Sequence, residues 1–213
     1  MENKKTKAAF SIKEISLIAV FIATTAVLSW ISVPLPFSPV PISFGLVAVY
    51  ITGILLRPKH AVAVQVCYLL LGAVGVPVFS SFKGGIGALF GATGGYLLVY
   101  PIMAWVVATA LNSSRSMRAQ RSQHKALFFL KAIVSMLIAH TLLYLGGTAW
   151  LSVITGNTFH ASLALAVFPF IPLDIAKIVF CILIIIPLRS HLSSMNLLIP
   201  DESAKVSKQA AEL

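Results

Sequence analysis

Long apolar runs broken by short polar or irregular segments dominate this chain and set its expected architecture. Residues 15–33 hold no charged side chain over nineteen positions, close to the roughly 20 apolar residues that carry a helix across a bilayer. Runs at 45–56, 61–76, 96–111, 126–151 and 173–188 are likewise apolar, with charge only at Lys131, Asp174 and Lys177 in the last two, which predicts an all-α membrane protein of six transmembrane helices. The second run is only twelve residues long, about 18 Å at the helical rise. It must borrow from residues 42–44, lie in a thinned patch, or pack away from lipid. Prolines at 34, 36, 39 and 41 forbid helix and favour extended or turn backbone after the first run. Eight glycines fall within residues 72–96. Irregular backbone at membrane depth survives only against protein or a wet cavity, so this segment is expected to fold back over a pocket.

Composition agrees with that class. The chain of 213 residues is 58% hydrophobic and 10% charged, with a mean hydropathy of +0.94, whereas soluble domains carry about 25% charged residues. A net charge of +10 would suit a nucleic-acid partner, but its distribution excludes one. The basic residues gather in the N-terminal tail, at Arg57-Pro58-Lys59, over 115–131 and from Arg189 onward. That is the positive-inside pattern, which places both termini in the cytoplasm and the loops at 34–44, 78–93 and 152–172 outside. The expected division is a cytoplasmic tail over 1–14, a six-helix membrane domain over 15–188 and a second cytoplasmic tail over 189–213. The first run is too long for a signal peptide core and no small-x-small cleavage site follows it, so it is read as a retained helix. Cys67 and Cys181 lie in apolar runs and imply no disulfide framework. The chain holds no His-Glu-x-x-His helix, Gly-x-Ser-x-Gly elbow or P-loop, so neither an enzyme nor a resident cofactor or metal is expected.

The candidate chemistry sits where the apolar rule breaks. Asp174 and Lys177 follow Pro172 and are flanked on both sides by uncharged stretches. Charges at membrane depth usually face the protein interior or a polar cavity, and at i,i+3 the two share one helix face. Two readings stand: a structural pair beside a helix N-terminus, or a pair that grips a small polar ligand. His140 and Tyr144, four apart, either line the same polar cavity or satisfy each other between helices. Lys83 is either an interfacial lysine or a second charge over the pocket. Ala19 and Ala23 give the first helix a small-residue face, suited to close docking of another helix or a partner.

A resemblance sharpens these expectations. Tyr68-Leu-Leu-Leu-Gly-Ala-Val-Gly-Val-Pro-Val-Phe79, Gly84-Gly85, Thr93-Gly94-Gly95-Tyr96 and Pro169-Phe-x-x-x-Asp174-x-x-Lys177 resemble the BioY family, the biotin-specific S-components of energy-coupling-factor vitamin transporters. Pro39-Val-Pro-Ile-Ser43 is similar to that family's Pro-Val-Pro-x-Thr loop, and the likeness runs over about residues 15–188. It implies a six-helix subunit in a prokaryotic cell membrane that captures biotin as cargo. It also implies partners, a transmembrane coupling subunit docked on Ala19 and Ala23 and cytoplasmic ATPases. The substrate site would draw on Asp174, Lys177, Lys83, Phe79, Phe82, Gly84, Gly85, Thr93, Tyr96, Ser43, Tyr144 and His140. Phe79, Phe82 and Tyr96 would cover the apolar part of the vitamin. Departures occur at Ala92, Gly45 and Arg57-Pro58, where the family usually carries Pro, Gln and Gly-Pro; the missing Gln removes one polar contact. An S-component for another vitamin, or a membrane scaffold without a ligand, are the alternatives.

Overall fold

A computed structural model of the chain describes residues 11–112 and 122–194. The basic tail before residue 11, the basic segment 113–121 and the polar tail after 194 lie outside the described residues. Helix α1 (Ile12–Trp30) starts at a capping box: Glu14 N–H donates to Ser11 Oγ at 3.4 Å and Ser11 N–H to Glu14 Oε2 at 2.7 Å. Two strands follow, β1 (Ser32–Leu35) and β2 (Ser38–Ser43), paired antiparallel with Ser32 opposite Ser43. The proline-rich loop is therefore a hairpin, and its register shifts between Val33 and Leu35, around Pro34, which has no N–H to give the ladder.

Next come α2 (Gly45–Leu55), α3 (Pro58–Ala73) and a short helix α4 (Ile86–Leu89). The chain continues as α5 (Gly94–Asn112), α6 (Ser122–Thr155), α7 (Phe159–Ala166), α8 (Ile171–Phe180) and α9 (Ile186–Ser194). Helices α8 and α9 are one rod with a widened π-type turn over Cys181–Ile185. Pro187 lies just beyond it; its ring would clash with the carbonyl four residues back, and a widened turn relieves that clash.

The protein is mostly helical, and four helices are long and apolar enough to cross a bilayer: Ile12–Trp30, Gly94–Asn112, Ala126–Thr155 and Ile171–Arg189. The short α2 resolves its own length problem by packing away from lipid, since every residue of it except Ile51 is buried. Gly53 lets it approach α5, because a Cβ there would lie 2.9 Å from Val107 Cβ. Helices α5 and α6 cross closely for the same reason. A side chain at Gly95 would overlap Trp150, and one at Gly147 would overlap the Tyr96 ring. Small residues thus replace the water-driven packing that a lipid solvent cannot supply.

Polar contacts mark the two ends of the bundle. At the end where α1 begins, Glu14 Oε1 lies 3.2 Å from His60 Nε2 of α3. At the same end Arg189 Nη2 donates to Leu111 O at 3.4 Å, and its guanidinium sits 5.0 Å from the Phe128 ring centroid. The opposite end carries the hairpin, the glycine-rich segment and the start of α8. The small residues of α1 divide between two faces: Thr25, Ala26 and Ser29 are buried inward, whereas Ala19 and Ala23 are exposed on the outer side.

Candidate functional site

Two adjoining cavities open at the hairpin end. The first is lined by Val40, Pro41, Ser43, Leu46, Tyr96, Tyr100, Leu143, Tyr144, Ala166, Phe170, Asp174 and Lys177. The second shares Val40, Pro41, Ser43, Tyr96 and Tyr100 with it and adds Phe79, Ser80, Lys83, Ala88, Thr93 and Leu97. Local sequence explains how these walls form. Tyr96 and Tyr100 stand four apart on α5, so one helix face presents both rings along the shared boundary. Gly147 leaves room for the Tyr96 ring. Ser43 Oγ donates to Ser29 O at 3.3 Å and accepts from Gly45 N–H at 3.0 Å, which ties the hairpin's last residue to both flanking helices.

The chemistry is concentrated on one carboxylate. Of the six Asp and Glu in the chain, only Glu14 and Asp174 fall among the described residues, and Glu14 sits at the far end. Asp174 and Lys177 occupy the start of α8, 5% and 8% exposed. Lys177 Nζ donates to Asp174 Oδ1 at 2.9 Å. Tyr144 O–H donates to Asp174 Oδ2 at 2.8 Å, and His140 Nε2 lies 3.1 Å from the same oxygen. A carboxylate offers about four lone-pair positions. Three are occupied, so one remains on Oδ1, beside the two Lys177 N–H groups not used by the ion pair. The cavity therefore presents an acceptor and donors side by side, within walls that are mostly apolar. Such a wall fits a ligand whose own donor and acceptor are neighbours.

The sequence-predicted residues divide into groups. Asp174, Lys177, Tyr144, Tyr96 and Ser43 line the first cavity; Lys83, Phe79, Thr93, Tyr96 and Ser43 line the second. His140 touches Asp174 from behind and meets Tyr144 edge-on, with ring centroids 4.3 Å apart. Phe79 is buried, packed on Tyr68 at 5.5 Å between ring centroids, and it fills the space that a Gly72 side chain would need. The structure does not bring Phe82 into either cavity. It is 63% exposed and stacks on Trp30 at 5.1 Å between centroids, because Ser81 and Phe82 both adopt left-handed backbone (φ 60° and 58°) and turn the ring outward. Gly84 and Gly85 act through backbone: a side chain on Gly84 would strike Val76 O, Gly85 has φ 87°, and Gly85 N–H donates to Gly72 O at 2.7 Å. The glycine-rich segment is thus held against the end of α3.

Sequence reasoning missed Tyr100, Leu46, Val40, Pro41 and Phe170, and also Tyr50 behind the site. The Tyr96/Tyr100 spacing was a usable signal. Tyr50, by contrast, sits in an unbroken apolar run and gave none.

Fold and site together define a class: a membrane-embedded helical bundle with a polar, charge-paired cavity at one end, the layout of a small-molecule transport subunit. The comparisons narrow it, for residues 1–194 match the BioY family, and the chain belongs to that family. It is 34% identical over 172 residues to the probable biotin transporter BioY of Pyrococcus horikoshii, covering 81% of this chain and 93% of that one. It is 30% identical over 182 residues to the biotin transporter BioY2 of Lactococcus lactis, covering 85% and 93%. The crystal structure of the S-component for biotin from an ECF-type ABC transporter superposes with a TM-score of 0.74 at 25% identity, covering 89% of this chain and 95% of that chain. Members of this family are transport subunits rather than enzymes.

Proposed function

We propose that this chain is the biotin-capturing S-component of an energy-coupling-factor transporter in a prokaryotic cell membrane. The observation that carries the reading is the Asp174–Lys177 pair lining a largely apolar cavity, with one carboxylate position and two ammonium donors left over. Biotin's ureido ring carries N–H donors next to a carbonyl acceptor, the complement of that pair, and charge-assisted hydrogen bonds are the stronger kind. Its thioether ring and alkyl chain suit Tyr96, Tyr100, Leu143 and Phe170. The carboxylate end would be repelled by Asp174 and attracted by Lys83, which places it in the second cavity beside Thr93.

On this reading the bundle spans the membrane six times, α2 and α3 supplying the two shorter crossings, over a membrane domain of residues 15–188. Both tails then lie in the cytoplasm and the hairpin end faces outward. The exposed Ala19 and Ala23 of α1 supply the face for a transmembrane coupling subunit, whose ATPase partners provide the energy.

Radiolabelled biotin binding to the purified protein tests the proposal. Asp174→Asn is expected to weaken binding by about 100-fold, the scale of a lost hydrogen bond to a charged group. Retained affinity in that variant would overturn the site. A panel of other vitamins should fail to displace tracer biotin at low concentration; efficient displacement by one of them would reassign the ligand.

A further inference from the structure

Behind the first cavity a line of buried polar groups runs away from the ligand face. Tyr50 Oη lies 2.9 Å from His140 Nδ1, and His140 Nε2 lies 3.1 Å from Asp174 Oδ2. Neither Tyr50 nor His140 lines either cavity, and Tyr50 is fully buried in α2. The carboxylate can only accept, so His140 Nε2 carries the proton; in the neutral imidazole Nδ1 then accepts from the Tyr50 hydroxyl, whose other acceptor, Met136 O, is farther off at 3.5 Å. Three helices far apart in sequence, α2, α6 and α8, meet in this one chain of hydrogen bonds.

We infer that Tyr50 is a positioning residue for the substrate site, acting through His140 to hold the Asp174 carboxylate in its binding orientation. This rests on the reading that Asp174 grips the ligand. The physical need is clear from the counting of lone pairs. Oδ2 takes its two donors from His140 and Tyr144, which leaves the free position of Asp174 on Oδ1, beside Lys177. Without Tyr50 the imidazole keeps its contact with Asp174 but loses the bond that fixes its tautomer and tilt. With Nδ1 unsatisfied, the ring can turn or exchange tautomers, and an unprotonated Nε2 repels the carboxylate. Asp174 would then be free to rotate, and the alignment of its open acceptor with the Lys177 donors would be lost. Binding groups held by a supporting layer of hydrogen bonds depend on that layer for geometry. In a low-dielectric interior such linked bonds are also coupled, so their removal is not additive.

The test compares biotin affinity and thermal unfolding in detergent for wild type, Tyr50→Phe, His140→Leu, His140→Gln, Tyr50→Phe/His140→Leu and Asp174→Asn. Tyr50→Phe is expected to weaken binding about ten-fold, on the scale of one lost buried hydrogen bond. In the His140→Leu background, however, it should add less than about two-fold, because the intermediary is gone. His140→Gln retains a donor toward Asp174 and should bind at least about five-fold tighter than His140→Leu, a rescue that a purely structural role does not produce. If Tyr50→Phe binds like wild type while Asp174→Asn fails, the positioning role is wrong and the substrate site stands. If the Tyr50 and His140 effects simply multiply, Tyr50 does not act through His140. Should Tyr50→Phe not fold, the two His140 variants decide: equal loss in both overturns the proposal. If wild type does not bind biotin, or Asp174→Asn binds equally well, the substrate reading fails and the positioning role falls with it.

Discussion

The two ends of the combined cavity each hold a lysine, and they hold it in opposite ways. Lys177 is buried, paired with Asp174 at 2.9 Å, and that carboxylate is braced by Tyr144 and His140 on a second helix. Lys83 is exposed on a short connecting segment, next to two residues in left-handed backbone. That segment is fastened by rim contacts: Ser81 N–H donates to Ser32 Oγ at 3.0 Å, Phe82 stacks on Trp30, and Trp30 Nε1 donates to Pro77 O at 2.7 Å. One end is preorganised by groups shielded from water. The other is an exposed rim segment whose bonds compete with water and whose backbone stores strain. On the proposed reading the subunit needs both, since a rigid end supplies affinity and a yielding end admits the ligand.

The contrast predicts a steep gradient of mutational effects. Asp174→Ala leaves Lys177 buried without its partner and should destabilise the protein by about 3–5 kcal/mol, read from thermal unfolding in detergent. A loss below about 1 kcal/mol would show that the pair is solvated and the contrast false. Gly147→Ala forces the Tyr96 ring to shift at the α5–α6 crossing. The expected cost is about 1–3 kcal/mol of stability, together with weaker binding, because Tyr96 borders both cavities. At the Lys83 end, Lys83→Ala should weaken biotin by about five- to ten-fold, about 1 kcal/mol, and leave an amide of biotin unaffected. Equal losses for both ligands would move the carboxylate away from the second cavity.

The smallest effects belong to the rim. Ser81→Gly removes the cost of left-handed backbone and keeps the N–H donor to Ser32, at the loss of an exposed 3.3 Å hydrogen bond between the Ser81 and Ser32 hydroxyls. It is expected to change stability by less than about 1 kcal/mol, on the favourable side. Phe82→Ala should leave equilibrium affinity within about two-fold while raising both association and dissociation rates, measured by stopped-flow fluorescence of the rim tryptophan Trp30. A large affinity loss would bring Phe82 into the binding surface, against its outward stacking on Trp30.

Much of the architecture was legible in advance. Charge-free runs near membrane length predict helices, because in lipid the backbone must satisfy its own polar groups. The pair at 174 and 177 stood out because charge is rare at depth. The hairpin was legible only as non-helical, since prolines exclude a helix without naming a pairing partner. The orientation of Phe82 was not legible: Phe79 and Phe82, three residues apart in one glycine-rich segment, look equivalent, and only the left-handed turn at Ser81 and Phe82 leaves one ring buried and the other exposed. The same limit hid Tyr50, an apolar-looking residue in an apolar helix.

Taken alone, the order of residues determined where helices form, which side of each break carries basic charge, and that Asp174 and Lys177 lie within an apolar span. Those properties are local, set by runs, spacings and the cost of placing charge in lipid. Which groups meet Asp174 was decided only by the packed bundle, where His140 and Tyr144 approach from 34 and 30 residues away and Tyr50 joins His140 across 90. Contacts at such separations depend on how closely whole helices cross, and glycines 95 and 147 fix that distance for α5 and α6.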